Sequence, residues 1–154
     1  MKKFQDLIAQ ALQRVKEVFP WDLEELIVAN PQLLLLDVRE PYEFAELHIS
    51  GSINVPRGIL ESACEWNYEE TEPLLVNGRD REIVVICRSG YRSVLAADVM
   101  LEIGFTHVCS LKTGVRGWND YELPLVNEAQ QQLPTEEADR LLTSRVQPHQ
   151  RRPV

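Results

Sequence analysis

What this 154-residue chain has little of excludes several classes of protein. It carries three cysteines, Cys64, Cys87 and Cys109, with no Cys-x-x-Cys pair and no close cysteine-histidine cluster, so it encodes neither a disulfide framework nor a zinc site. Positive charge is outnumbered: 16 Lys and Arg stand against 24 Asp and Glu, for a formal charge of -8. Such a surface repels phosphate on average, which argues against nucleic acid or a membrane surface as partner. No hydrophobic run reaches the roughly 20 residues that a membrane-spanning helix needs. After Met1-Lys2-Lys3, the residues Gln5, Asp6, Gln10, Gln13, Arg14, Lys16 and Glu17 interrupt any apolar core, and no small-residue cleavage site follows, so the expectation is that no secretory leader is present. Free reactive cysteine persists best in a reducing compartment, and the cytoplasm is the expected location.

What is present centres on Ile83 to Ser93. Ile83-Val84-Val85-Ile86 is a short β-branched run, read as a buried strand of a parallel sheet, and Cys87 ends it. Arg88-Ser89-Gly90-Tyr91-Arg92-Ser93 follows, and then Val94, Ala97 and Leu101 mark one face of a helix that Gly104 stops. Strand, polar loop and helix in that order put a thiol where open sheets bind ligands and where helix N-H groups favour anions. A thiolate is such an anion. Gly90 lets the loop curl so that N-H groups converge on the sulfur, and Arg88 and Arg92 add positive charge on either side. A lone strand-ending cysteine is as often a small core residue; two arginines and a glycine within five residues are hard to explain as packing.

The motif Cys87 to Ser93 resembles the active-site loop of single-domain rhodanese (thiosulfate sulfurtransferase) proteins. The resemblance continues through Leu36-Asp37-Val38-Arg39-Glu40, Glu43-Phe44, His48 to Pro56, Gly104-Phe105 and Gly114-Val115-Arg116-Gly117-Trp118, in the family's order over roughly Trp21 to Val126. It implies an α/β fold, an open parallel sheet flanked by helices on both faces, with no cofactor and no metal. It implies that Cys87 is the catalytic thiol and that Arg88, Ser89, Gly90, Tyr91, Arg92 and Ser93 bind the substrate. The implied reaction moves a sulfane sulfur from thiosulfate or another anionic persulfide donor, through a Cys87 persulfide, to cyanide or a thiol. A sulfur-relay module serving a protein acceptor is the alternative. A cysteine phosphatase or arsenate reductase is less favoured, because Arg92 is the fifth residue after Cys87, one short of the wider phosphate cradle.

Along the chain, Phe4, Leu7, Ile8, Ala11, Leu12, Val15, Val18 and Phe19 recur at helical spacing, giving an amphipathic helical extension over residues 1–20 closed by Pro20. Its apolar stripe packs either on this domain or on a partner. Residues 21–126 form the domain, and 127–154 a polar, partly disordered tail with a short helix near Thr135 to Ser144. Asp22 with Glu25 reads as a capping box opening a helix to Asn30. Leu33 to Leu36 is a strand ending at Asp37, which either tunes the site or accepts loop N-H bonds, while Arg39 pairs with Glu40 or Glu43. Pro41 to Leu47 reads as a short helix and Ser52 to Val55 as a strand. His48 is the obvious general base by residue type, although the family uses this histidine as a fold element. Trp66 and Tyr68, in the unpatterned stretch Glu61 to Asp80, either line the approach to Cys87 or cover the core. Cys64 is either a resolving thiol or an ordinary loop residue. His107 to Leu111 reads as a strand containing a core Cys109, and Gly114 to Trp118 as a turn in which Thr113 stands where the family has glycine. Arg116 is placed to steer anions, and Trp118 to fill the core.

Overall fold

The computed structural model describes residues 1–154. The helices are α1 (Phe4–Ala11), α2 (Pro20–Ala29), α3 (Pro41–Glu46), α4 (Leu60–Ala63), α5 (Pro73–Val76), α6 (Arg92–Glu102), α7 (Gly114–Asp120) and α8 (Thr135–Leu142). The strands are β1 (Lys16–Val18), β2 (Leu34–Asp37), β3 (Ile53–Asn54), β4 (Glu82–Ile86) and β5 (His107–Leu111). They form one sheet in the order β1-β5-β4-β2-β3, with every pairing parallel.

The period of two along the central strands sorts their side chains. Ile83, Val85 and Cys87 join Leu34, Leu36 and Val38 in a core under α4 and α6. Val84, Ile86 and Leu35 face the opposite way, into a core closed by Leu23 of α2, Val115 and Trp118 of α7, and Ala138 and Leu142 of α8. Full burial of each such branched side chain contributes about 1.5–3 kcal/mol, and covering both sheet faces secures the register. The chain leaves β2 for β3 on one side and β4 for β5 on the other. The crevice between the carboxyl ends of β2 and β4 is therefore the point where strand order reverses, the usual ligand position in an open α/β sheet. Asp37 and Cys87 lie there.

The expected helix from Phe4 to Phe19 divides. It ends at Ala11, and Lys16 to Val18 instead pairs with Cys109 to Leu111 as an edge strand. Pro20 starts a helix rather than ending one, since its fixed φ and missing N-H suit the first helical position; Phe19 is the N-cap, and Asp22 falls inside the first turn. Gly114 to Trp118 is likewise helix α7 rather than a turn.

Helix α1 packs on this domain. It runs beside α6, with the Phe4 ring edge-on to Tyr91, Ile8 and Ala11 clustered with Val94, and Arg14 bonded twice to Asp98 at 2.7 Å. The C-terminal segment also joins the body through α8, whose Asp139 accepts from the Asn119 amide at 2.6 Å. From Thr143 onward every residue is exposed.

Candidate active site

Cys87 follows the last residue of β4, and only 1% of it is exposed. Its sulfur accepts a hydrogen bond from the Gly90 N-H at 3.1 Å and lies 3.2 Å from the Ser93 hydroxyl. Ser93 in turn lies 2.8 Å from the hydroxyl of Ser110, buried on β5. A thiolate can only accept, so with Cys87 ionised the Ser93 O-H donates to sulfur and the Ser110 O-H donates to Ser93.

The loop keeps this shape because α7 holds it from below. The Val115 N-H donates to the Cys87 carbonyl at 2.9 Å, and the Arg116 N-H to the Arg88 carbonyl at 3.0 Å. Gly114 makes the approach possible: a Cβ there would lie 2.4 Å from the Cys87 carbonyl oxygen. Gly90, at φ +92°, sits against the Thr113 backbone, and a Cβ would come within 2.9 Å of the Thr113 nitrogen. Thr113 itself holds φ +67°, a left-handed conformation that costs a residue with a Cβ about 1–3 kcal/mol.

Arg88 and Arg92 both line the cleft beside Cys87, and both are engaged by protein groups. Arg88 turns toward the C-terminal segment, where its Nη2 donates to the carbonyls of Leu142 at 2.6 Å and Thr143 at 3.0 Å. It forms no ion pair, so its charge is not neutralised by a carboxylate. Arg92 is paired with Glu43 of α3 through two hydrogen bonds of 2.9 and 3.0 Å. That bonding, against an opposing cost of burial, raises the Arg92 guanidinium above its ordinary value, helped by the charges of Glu43, Cys87 and Asp37. Burial alone would push the Glu43 carboxyl up. Hydrogen bonds from Arg92 and from the Glu40 amide, with the charges of Arg92 and Arg39, outweigh it and leave Glu43 below the usual carboxylate range.

Asp37 and Arg39 are a buried pair rather than substrate groups. Arg39 donates from its backbone N-H and its guanidinium to the Asp37 carboxylate at 2.8–3.1 Å, and also to the Leu47 carbonyl at 2.7 Å. Arg39 therefore pairs with Asp37, not with Glu40 or Glu43, because a carboxylate buried at a strand end needs a fixed fork donor. His48 is buried with its Nδ1 donating to the Phe44 carbonyl at 2.8 Å and its ring stacked on Phe44, and its backbone pairs with Val126, so it fixes the chain leaving α3 and does not serve the thiol. Trp66 and Tyr68 are exposed and do not line the cleft above Cys87. Arg116 is exposed on α7, and Trp118 fills the core, its Nε1 donating to the Pro124 carbonyl. Cys64 and Cys109 are held protonated by burial, which pushes each thiol up to about 11.

Three participants escaped the sequence reading: Ser110, Glu43 as partner of Arg92, and Phe4. Ser110 alone carried a signal, as a hydroxyl on the inward face of an apolar strand.

A model of the rhodanese-like domain matches residues 20–121. The chain belongs to the rhodanese-like family. It is 27% identical over 114 residues to a sulfurtransferase of Allochromatium vinosum, covering 73% of this chain and 95% of that one. It is 39% identical over 93 residues to thiosulfate sulfurtransferase 16 of Arabidopsis thaliana, over 58% of this chain and 76% of the relative. The human single-domain sulfurtransferase TSTD1 superposes with a TM-score of 0.61 at 25% identity, over 69% of this chain and 96% of the human one. These matches make it a rhodanese-like sulfurtransferase-family protein with the five-stranded parallel sheet of that fold. No helix is long and apolar enough to cross a membrane.

Proposed function

We propose that this rhodanese-like chain carries sulfur as a persulfide on Cys87, taken from thiosulfate or a related anionic donor and passed to a nucleophilic acceptor. The observation that carries the reading is the sulfur of Cys87 at the strand-order reversal, with the Gly90 amide and the Ser93 hydroxyl directed at it. The Cys87 thiolate attacks the sulfane sulfur of thiosulfate. The sulfur-sulfur bond of the donor breaks, its electron pair leaves with sulfite, and the enzyme is left with a persulfide. An acceptor then attacks the outer sulfur: cyanide departs as thiocyanate, or a thiolate departs as a new persulfide, and the Cys87 thiolate returns. The Ser89 and Tyr91 amides donate to no protein acceptor and are available to the transferred sulfur or to the oxygens of the donor. Arg88, unneutralised, supplies the positive field that draws an anion to a chain of charge -8. A reducing compartment such as the cytoplasm suits this free-thiol chemistry.

The test is steady-state sulfur transfer from thiosulfate and from glutathione persulfide to cyanide, with Cys87→Ser as control. Turnover with at least one donor, absent in the variant, supports the reading. Equal rates in the two proteins overturn it.

A further inference from the structure

The mouth of the site is built partly by residues outside the matched domain. The cleft above Cys87, of about 310 Å³, is lined by Phe4, Cys87, Arg88, Ser89, Tyr91 and Arg92. Phe4 begins α1, sixteen residues before the family match starts at residue 20. Its place is fixed by the docking of that helix: Ile8 and Ala11 pack on Val94, and Arg14 is bonded twice to Asp98. Those contacts set the helix parallel to α6 and carry its first residue to the end of α6 where the loop lies. There the Phe4 ring meets Tyr91 edge-on at 6.0 Å. Phe4 is 49% exposed and Tyr91 46%, so both rings retain free surface at the opening.

Two aromatic rings do little for a small hydrated anion. Their faces are electron-rich and repel negative charge, and no apolar surface is gained. Of the two arginines lining the cleft, Arg92 is already offset by Glu43 and Arg88 is turned toward the Leu142 and Thr143 carbonyls. The cleft also has the volume of a small-molecule pocket rather than that of an inorganic ion; such pockets begin at about 300 Å³. A ligand with an apolar body, attached to the atom that reaches Cys87, uses all of these features.

We infer that Phe4, with Tyr91, is a specificity-determining residue for the acceptor half of the reaction, selecting low-molecular-weight organic thiols with an apolar body next to sulfur. The inference rests on the persulfide reading of Cys87. A thiol loses its proton to solvent, and its thiolate attacks the outer sulfur of the Cys87 persulfide. The bond between the two sulfurs of the enzyme breaks, its electron pair returns to Cys87 as thiolate, and the acceptor leaves as a persulfide. The rings touch only the body of the acceptor and take no part in the bond changes.

The test compares two thiols of similar acidity, benzyl mercaptan and 2-mercaptoethanol, on the full chain preloaded with thiosulfate, with loading first verified by intact mass. The expected result is a kcat/KM favouring benzyl mercaptan, with Phe4→Ala lowering that preference about fivefold and Phe4→Leu lowering it less. Leu7→Ala, exposed on the same helix and outside the cleft, keeps the wild-type preference; a loss there as large as in Phe4→Ala overturns the inference. No preference in the wild type, or a preference that Phe4→Ala leaves unchanged, overturns the inference while the persulfide reading stands. Failure to load Cys87 at all overturns the persulfide reading, and the inference falls with it.

Discussion

Arg92 and Glu43 are joined by two hydrogen bonds of 2.9 and 3.0 Å, so the first residue of the α6 helix is tied to α3 and its charge is offset at the mouth of the site. Glu43→Gln keeps one acceptor and removes the counter-charge. The KM for thiosulfate is expected to fall about two- to fivefold at low salt, with the gain erased near 1 M salt, where screening acts over about 3 Å. A rise in KM would show that Arg92 needs its partner for orientation more than it gains from free charge.

The same pair gives a pH dependence. The Glu43 carboxyl lies below its ordinary value when folded, so the stability it adds is complete above the ordinary carboxylate range and is lost as pH falls through the folded value. Urea unfolding of wild type and Glu43→Gln should differ near pH 7 and converge as the pH drops below about 4. A gap that persists into acid would place the contribution of Glu43 in packing rather than charge.

The hydroxyl relay from Ser110 through Ser93 to Cys87 is the second device around the sulfur. A hydrogen bond to a charged acceptor is worth about 1.5–3 kcal/mol. Ser93→Ala should therefore slow alkylation of Cys87 at neutral pH by about tenfold or more, and Ser110→Ala, which only orients Ser93, by roughly threefold. Identical rates in all three proteins would leave the Gly90 amide as the only group that matters to the thiol.

Much of this was legible in the sequence, for physical reasons that differ by element. The run Ile83 to Ile86 and the glycine-containing loop identified the strand, the thiol and the helix together, because a fully buried strand admits few other compositions. Leu33 to Leu36 was readable on the same ground. The segment after Ala11 was not. Val15, Val18 and Phe19 fit a helical stripe, and only pairing with Cys109 to Leu111, 93 residues away, makes Lys16 to Val18 a strand. Pro20 is ambiguous by nature, since it can end one element or begin the next. The protein partners of the arginines were not readable, because composition gives a charge but not its direction: the Arg88 guanidinium reaches to Leu142, and the partner of Arg92 lies 49 residues upstream.

Backbone conformation at the loop yields a pair of opposed outcomes. Thr113→Gly relieves a left-handed residue at φ +67° and should stabilise the fold by about 0.5–1 kcal/mol in thermal or urea unfolding. Gly90→Ala, which sets a Cβ against the Thr113 backbone at φ +92°, should lose sulfur transfer even where the protein still folds. An active Gly90→Ala protein would mean that the loop holds the sulfur in some other conformation.

Cys64 and Cys109 supply an internal comparison. Burial pushes both thiols up to about 11, so at pH 8 almost none of either is thiolate. Limiting iodoacetamide at pH 8 should label Cys87 first, with labelling of the other two rising only as pH approaches 11. Early labelling of Cys64 would mark it as a second reactive thiol.

The most direct measurement is the intact mass of the protein after incubation with thiosulfate and removal of excess reagent. The expected result is a gain of one sulfur atom that maps to the peptide containing Cys87, disappears on adding cyanide, and is absent in Cys87→Ser. An unchanged mass, or a gain that survives in Cys87→Ser, would contradict the assignment of Cys87 as the sulfur carrier.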